Sequence, residues 1–260
     1  MKICAFAQCY NELSLGNLKR WLDNTQKYAD YIAVYDDGST DGSADFLSEQ
    51  KVDLLIRGGK NDFINESRHR AQLLWAAKEQ LKPDWFVWTD VDEVLDKNAL
   101  LNLRKFLETA EHEGYELEGI NLWRSGCWRR LDYIAGFNQI AFWRNNGELT
   151  LPITDNLHGQ MHPNGMRSIS KAPFKVIHYG YSTADQIARR WVQRTRLGVP
   201  KQWRERCVNE AGMQLEHVSH EIFPDNCVPK DCGKPSPISY DALITKWEED
   251  DATRGENGTS

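Results

Sequence analysis

No apolar run in these 260 residues approaches the roughly 18 that a membrane span requires. Nor is there a leader with a long apolar core. Met1-Lys2-Ile3-Cys4-Ala5-Phe6-Ala7 breaks at Gln8, too early for a signal peptide, and reads as a first buried strand. The six cysteines offer no C-x-x-C pair and no matched metal-ligand spacing. That predicts reduced thiols and a cytoplasmic location; Cys227-x4-Cys232 is the pair to check for a disulfide or a metal. No internal repeat appears. Excess positive charge is missing too: 32 Lys and Arg stand against 38 Asp and Glu, a net −6. Indiscriminate polybasic adhesion to nucleic acid or membrane is thereby excluded.

What is present is globular. Hydrophobic residues make up 40% and charged residues 27%, in a chain long enough to bury a substantial core. Over the first 95 residues strand and helix signals alternate. Strands are predicted at Ile3–Cys9, Tyr31–Tyr35, Val52–Arg57 and Trp85–Thr89. Helices fall at Leu13–Tyr28, Ala44–Gln50 and Phe63–Leu81. Such alternation indicates an α/β fold with a mostly parallel sheet, whose ligands bind at the carboxyl ends of the strands. Gly119–Trp123 and Asn138–Trp143 read as a hairpin or meander, and Phe174–Tyr179 as a later strand. Thr183 and Gln186 fit a capping box, with Asp185 in the first turn and Gly198 and Pro200 ending that helix. Beyond residue 222 the chain is polar and Pro-rich, and Glu248–Ser260 is expected to fray.

The unusual residues collect at predicted strand ends. Asp90-Val91-Asp92 sets two carboxylates at i and i+2 on the turn after an apolar strand. Two hard oxygen donors suit Mg²⁺ or Mn²⁺, and such a metal suits a diphosphate. Glu93 is either a third acid or a cap. Asp36-Asp37-Gly38-Ser39-Thr40-Asp41-Gly42-Ser43 follows the second strand. Asp41 or Ser43 suits a helix cap there, whereas Asp36 and Asp37 repel each other, and at least one can accept from a base imide or a ribose hydroxyl.

Together with Cys9-Tyr10-Asn11-Glu12 after the first strand, these strings resemble the GT-A glycosyltransferases of the family 2 type. Order and spacing match over residues 1–95, weaken towards 180 and lapse beyond 200. The resemblance implies a GT-A, Rossmann-like fold with a central, mostly parallel mixed sheet flanked by helices. It also implies a donor pocket of Tyr10, Asn11, Glu12, Asp36, Asp37 and Arg68, with Asp90 at the ribose and metal-bound water and Asp92 on the metal. His178 is similar to a late metal-ligating histidine of some GT-A enzymes. In similar enzymes that extend lipopolysaccharide cores, His158 is followed by an acid; here Gly159 stands in its place. An inverting transfer needs a carboxylate to take the acceptor's proton. Asp155 is the expected base, with Asp132 and Glu148 in reserve; without one, configuration is retained or the acceptor is itself acidic.

Charge is segregated along the chain. Residues 1–119 carry a net −8, residues 120–206 a net +9 and residues 207–260 a net −7. The middle segment holds eleven arginines and five of the ten tryptophans. One reading pairs those arginines with the acidic segments. The other is a polyanionic acceptor bound through Trp128, Arg129, Arg130, His158, Arg190 and Arg194, arginine being suited to phosphate and tryptophan to stacking. Two acceptors fit: a phosphorylated glycan such as a lipopolysaccharide core, or DNA with a hydroxymethylated base, flipped out for transfer.

The expectation is one glycosyltransferase domain over residues 1–222, with a donor half at 1–119 and an acceptor half at 120–222, and a partly disordered polar extension at 223–260. It would move a sugar from a nucleoside diphosphate sugar, UDP-linked by default, with Mn²⁺ or Mg²⁺. A nucleotidyltransferase would want a Gly-rich, Lys-bearing loop where Tyr10-Asn11-Glu12-Leu13 stands. The remaining alternative is a non-catalytic glycan- or nucleic-acid-binding module on the same scaffold.

Overall fold

A computed structural model of the chain describes residues 1–132, 136–154, 162–211, 213–230 and 232–256. They form two compact units. The first comprises Met1–Gly119, Phe137–Ile177 and Glu221–Val228; the second comprises Ile120–Gly136, His178–His220 and Pro229–Ser260.

The first unit is built on the strands β1 (Ile3–Cys9), β2 (Tyr31–Asp36), β3 (Leu54–Arg57), β4 (Trp85–Trp88) and β5 (Glu93–Leu95), interleaved with the helices α1 (Asn17–Thr25), α2 (Ser43–Glu49), α3 (Glu66–Gln80) and α4 (Lys97–Glu108). Strands β6 (Gly114–Asn121), β8 (Gly136–Arg144) and β9 (Ile169–His178) complete an eight-stranded sheet in the order β3-β2-β1-β4-β8-β6-β9-β5. β1 pairs in parallel with β2 and β4, and β2 with β3; β4 meets β8 antiparallel. The sheet is thus the mixed, mostly parallel one expected. β1 and β4 are apolar at nearly every position because helices cover both faces of a parallel sheet. α1 lays Leu18, Trp21 and Leu22 on one side of it, and α3 lays Leu73, Leu74 and Ala77 on the other.

β5 closes one edge of the sheet. Its Leu95 backbone is completed by a side chain: Asn24 of α1 donates to the Leu95 carbonyl at 2.9 Å and accepts the Leu95 N–H at 3.1 Å. Both residues are buried.

In the second unit β7 (Trp128–Arg130) pairs antiparallel with β10 (Leu215–His217), and α5 (Ala184–Arg196) packs with α6 (Lys201–Val208) and α7 (Asp241–Glu256). Trp123, Tyr181, Ile187, Cys207 and Tyr240 form its core. Buried Glu210 ties that unit together: it accepts from Arg124 Nη1 at 2.7 Å, Tyr240 Oη at 2.6 Å, Trp123 Nε1 at 3.2 Å and the Ile238 amide at 3.1 Å. A buried charge is tolerable when surrounded by donors in this way. The capping box at Thr183 and Gln186 forms as expected.

Two expectations need correction. Cys232 is bonded to Cys127, not poised with Cys227, and Cys227 is a free buried thiol. The pairing was hidden because its partners lie 105 residues apart. Residues 241–256 are helical where fraying is predicted from Glu248; Ile244 packs on the Trp123 cluster, and Trp247 Nε1 donates to Asp185 at 3.0 Å. No helix among the described residues is long and apolar enough to cross a membrane.

Asn24→Ala removes both partners of the buried Leu95 peptide. It is expected to cost roughly 2–4 kcal/mol, read as a lower urea midpoint with an unchanged slope.

Candidate active site

Strand order reverses between β1 and β4, with β2 and β3 running out on the other side of β1. The crevice at such a reversal is where open α/β sheets bind ligands. Tyr10 and Asn11 follow β1, Asp36 and Asp37 end β2, and Asp90 and Asp92 follow β4, so three of the predicted strings meet at this edge.

The β2 turn is held by its own acids. Asp36 Oδ1 accepts from the Ser39 amide at 2.9 Å, while its buried Oδ2 has no hydrogen-bond partner. Asp37 accepts from Asn61 Nδ2 at 2.9 Å and from the Asp62 amide at 3.1 Å. Burial, opposed by that amide and reinforced by the charges of Asp62 and Asp36, pushes the Asp37 carboxyl up to about 7. His69 on α3 brings Nδ1 to 3.5 Å from Asp37 Oδ1, and its ring stacks on Tyr35 with centroids 4.3 Å apart. Burial lowers the His69 pKa, so the imidazole is neutral at pH 7.

Gly38 carries the sharpest backbone constraint here. Its φ is +71°, and a Cβ would stand 2.5 Å from the Lys60 backbone. That close approach brings Asn61 and Asp62 onto Asp37. Asn11 is the second strained position, with φ 55°. Its Oδ1 accepts the Thr40 amide at 2.7 Å and its own amide donates to Ser39 Oγ at 2.9 Å, which locks the β1 turn to the β2 turn. Glu12 accepts from Asn17 Nδ2 at 2.7 Å, at the start of α1. Tyr10 is half-buried.

After β4, the Glu93 carboxylate accepts the Asp90 amide at 2.9 Å and Gln139 Nε2 at 3.0 Å. Glu93 is therefore the cap of this turn. Burial, and next the charges of Asp90 and Asp92, hold its carboxyl well above the usual range. Asp92 is buried and Asp90 half-buried. Three carboxyl groups stand within four residues, and their oxygens are the hard donors that Mg²⁺ and Mn²⁺ take.

Arg68 is exposed on α3. Two residues on, Arg70 is buried: it pairs with Glu66 at 3.0 Å and lies over the Trp88 ring at 5.4 Å, while its Nε and Nη1 have no partner. His69, Arg70, Asn61 and Asp62 are the residues that sequence reasoning missed. Arg70 had a signal, because it shares a helical stripe with Leu73, Leu74 and Ala77.

Asp155 and His158 lie outside the described residues. Thr154, just before Asp155, is bonded both ways to Ser67 of α3, at 2.9 and 3.0 Å. Glu148 is exposed and 3.7 Å from Arg167. The second unit holds the other predicted residues. His178 Nδ1 donates to Asn121 Oδ1 at 2.5 Å, which leaves Nε2 as an acceptor facing Arg190 Nη2 at 3.2 Å. Arg190 also donates to the Gly180 carbonyl, and Arg194 to Tyr181 Oη. Asp132 Oδ2 accepts from Arg130 Nε at 2.9 Å, and Arg130 also stacks over Trp123. Arg129 pairs with Glu216, and Trp128 Nε1 donates to the Cys232 carbonyl.

The family model described as "Glycosyl transferase family 2" matches residues 6–177, well over half of the chain. No curated protein matches. Among solved structures, residues 1–349 of TarS from S. aureus are similar at 12% identity, over 80% of this chain and 69% of that one, with a TM-score of 0.43. The mannosyltransferase PcManGT from Pyrobaculum calidifontis, solved with GDP-Man and Mn²⁺, is similar at 17% identity over 79% and 68%, with a TM-score of 0.41. Glucosyl-3-phosphoglycerate synthase from Mycobacterium tuberculosis, solved with Mn²⁺, UDP and glucosyl-3-phosphoglycerate, follows at 17% identity over 48% and 45%, with a TM-score of 0.31.

Gly38→Ala combines a left-handed φ with a backbone collision. It is expected to lower Tm by roughly 5–10 °C. Gly59→Ala, where a Cβ meets nothing within 4 Å, serves as the control and leaves Tm within about a degree.

Proposed function

The chain belongs to glycosyl transferase family 2, and from that premise we propose that it transfers a sugar from a nucleoside diphosphate sugar, UDP-linked by default, to a hydroxyl of a polyanionic acceptor, with Mn²⁺ or Mg²⁺. It is a transferase with the GT-A fold. One observation carries the donor assignment: Asp36, Asp37, Asp90 and Asp92 stand at the carboxyl ends of the two strands that flank β1, beside the reversal of strand order.

In this reading Asp37 accepts from the base imide. The unpartnered Asp36 Oδ2 is a second acceptor for base or ribose, and Asp90 serves the ribose. Tyr10 and Asn11 shape the pocket wall, while Glu12 anchors the turn behind it. Arg68 keeps its donor-site assignment, joined by Arg70, whose unpartnered nitrogens suit a phosphate oxygen. Asp92 and Asp90 would hold the cation. His178, the imidazole that the resemblance offers as a further ligand, lies in the second unit with its Nε2 facing Arg190. Such a cation, when bound, neutralises the leaving diphosphate as a Lewis acid.

Asp155 is the proposed base, accepting the proton of the attacking hydroxyl. The anchoring of Thr154 to Ser67 supports it, as does the engagement of the reserve Asp132 by Arg130. For the acceptor, a phosphorylated glycan and hydroxymethylated DNA both fit the net +9 of residues 120–206. The free thiols at Cys4, Cys9, Cys207 and Cys227 fit a cytoplasmic setting, whereas the Cys127–Cys232 bond departs from the reduced thiols such a setting predicts.

Incubation with UDP-sugars and Mn²⁺ tests the proposal through UDP release. No release and no thermal shift with any donor would favour the non-catalytic module instead. Salt titration of binding to duplex DNA beside a phosphorylated glycan separates the acceptors, since DNA predicts a steep salt slope.

Asp92→Asn is expected to abolish transfer while circular dichroism and Tm stay near those of the parent. Turnover by the folded variant would remove Asp92 from the metal site. Donor KM follows the ionisation of Asp37. Its pKa is raised to about 7, and the ionised form is the stronger acceptor for an imide N–H. KM is therefore expected to fall about tenfold between pH 6 and pH 8, and Asp37→Asn to flatten that profile.

A further inference from the structure

We propose that Cys127, His217, His220 and Cys232 form a tetrahedral zinc site when the cysteine pair is reduced. The site lies wholly in the second unit and is independent of the donor site. One ligand atom from each of the four residues lies within 4.8 Å of every other. Two thiolates and two imidazoles are a familiar structural zinc set; with Zn–S near 2.3 Å and Zn–N near 2.0 Å they stand roughly 3.3–3.8 Å apart. The widest spacing is about 1 Å above that range, and the two sulfurs, bonded here, must part to reach it.

Contacts other than the sulfur–sulfur bond hold the four residues. Cys127 leads into β7, and its carbonyl accepts the Val218 amide at 2.7 Å. His217 ends β10 in register with Trp128, so Cys127 and His217 sit on adjacent strands of one ribbon. Cys232 is brought in by two contacts. Its carbonyl accepts Trp128 Nε1 at 2.9 Å, and a Cβ on Gly126 would meet Pro229 at 2.5 Å, so the returning segment lies tight against the start of the ribbon. His220 places Nε2 3.0 Å from Cys232 Sγ, and its ring is 5.4 Å from that of His217. The Trp128 ring meets the His217 ring edge-on at 5.2 Å, which steadies the first imidazole. Cys127 is buried, Cys232 half-buried and both histidines exposed. Zinc can therefore enter from the histidine side.

The disulfide and the zinc site are alternative uses of the same sulfurs. A dithiol reductant takes the disulfide to two thiols and is itself oxidised to a disulfide. Zn²⁺ then displaces two protons as the thiolates bind. In a reducing compartment the metal would keep the tie across 105 residues that the disulfide makes under oxidation.

The full chain, reduced with dithiothreitol, freed of metal by a chelator and reloaded with ZnCl₂, is expected to retain one zinc per chain by mass spectrometry. An Asp90→Asn/Asp92→Asn background keeps that zinc, while His217→Ala/His220→Ala loses it. Co²⁺ in place of Zn²⁺ is expected to give a thiolate-to-cobalt charge-transfer band, which a carboxylate site cannot produce. Zinc is also expected to slow iodoacetamide labelling of Cys127 and Cys232. Reduced, folded protein that retains no zinc and labels both cysteines at the same rate with and without it would overturn the proposal. So would retained zinc that vanishes in the Asp90→Asn/Asp92→Asn background.

Discussion

Negative charge gathered at one sheet edge is the constraint on which the rest of the first unit depends. Asp36, Asp37, Asp90, Asp92 and Glu93 fall at the ends of two parallel strands flanking β1, and four of them are buried. Apolar surroundings and mutual repulsion both penalise ionised carboxylates. The loops answer with amides: Ser39 to Asp36, Asp62 to Asp37, Asp90 to Glu93. Each of these needs a particular backbone path, and the least ordinary backbone of the region lies there, at Gly38 and Asn11. Strain in these turns is the cost of aiming main-chain donors at acids that a ligand must still be able to reach.

The compensation is incomplete in an informative way. Asp36 Oδ2 keeps no partner, Arg70 keeps two unpartnered nitrogens, and Asp37 and Glu93 hold raised carboxyl pKa values. A region evolved for stability alone would have replaced such groups with apolar ones or paired them fully. An unpartnered carboxylate oxygen and a guanidinium with two unpartnered nitrogens are the complement of a ligand carrying both donors and anionic oxygens. A nucleoside diphosphate is such a ligand.

What was legible in the sequence followed from local chemistry. β1 and β4 announced themselves because a strand buried on both faces is apolar throughout, and the α5 start because a capping box is four residues long. The acid strings were legible because turns after parallel strands all open on one edge. Contacts between distant residues were not. Asn24 completing the Leu95 peptide, Glu210 gathering Arg124, Trp123 and Tyr240, and Cys127 bonding to Cys232 each join positions some 30 to 105 residues apart, and no periodicity encodes them. Arg68 was preferred to Arg70 because the matched motif has no burial in it; the stripe of Arg70 with Leu73 and Ala77 does. Helix α7 was missed because its composition is polar, and three aromatic and aliphatic anchors, Tyr240, Ile244 and Trp247, suffice to dock it.

The charge split of the chain also changes meaning once partners are known. Residues 120–206 sum to +9, yet several of those arginines are committed inside the second unit. Arg124 serves Glu210, Arg129 meets Glu216, and Arg130 is buried against Asp132 and Trp123. The tail acids Glu210 and Glu216 lie at positions that pair these cations, so part of the basic segment is structural charge. Arg190 meets the Gly180 carbonyl and the His178 imidazole, and Arg194 meets Cys207 Sγ and Tyr181 Oη, all within the same unit. A sum over residues cannot show this, because it counts a neutralised arginine and an available one alike.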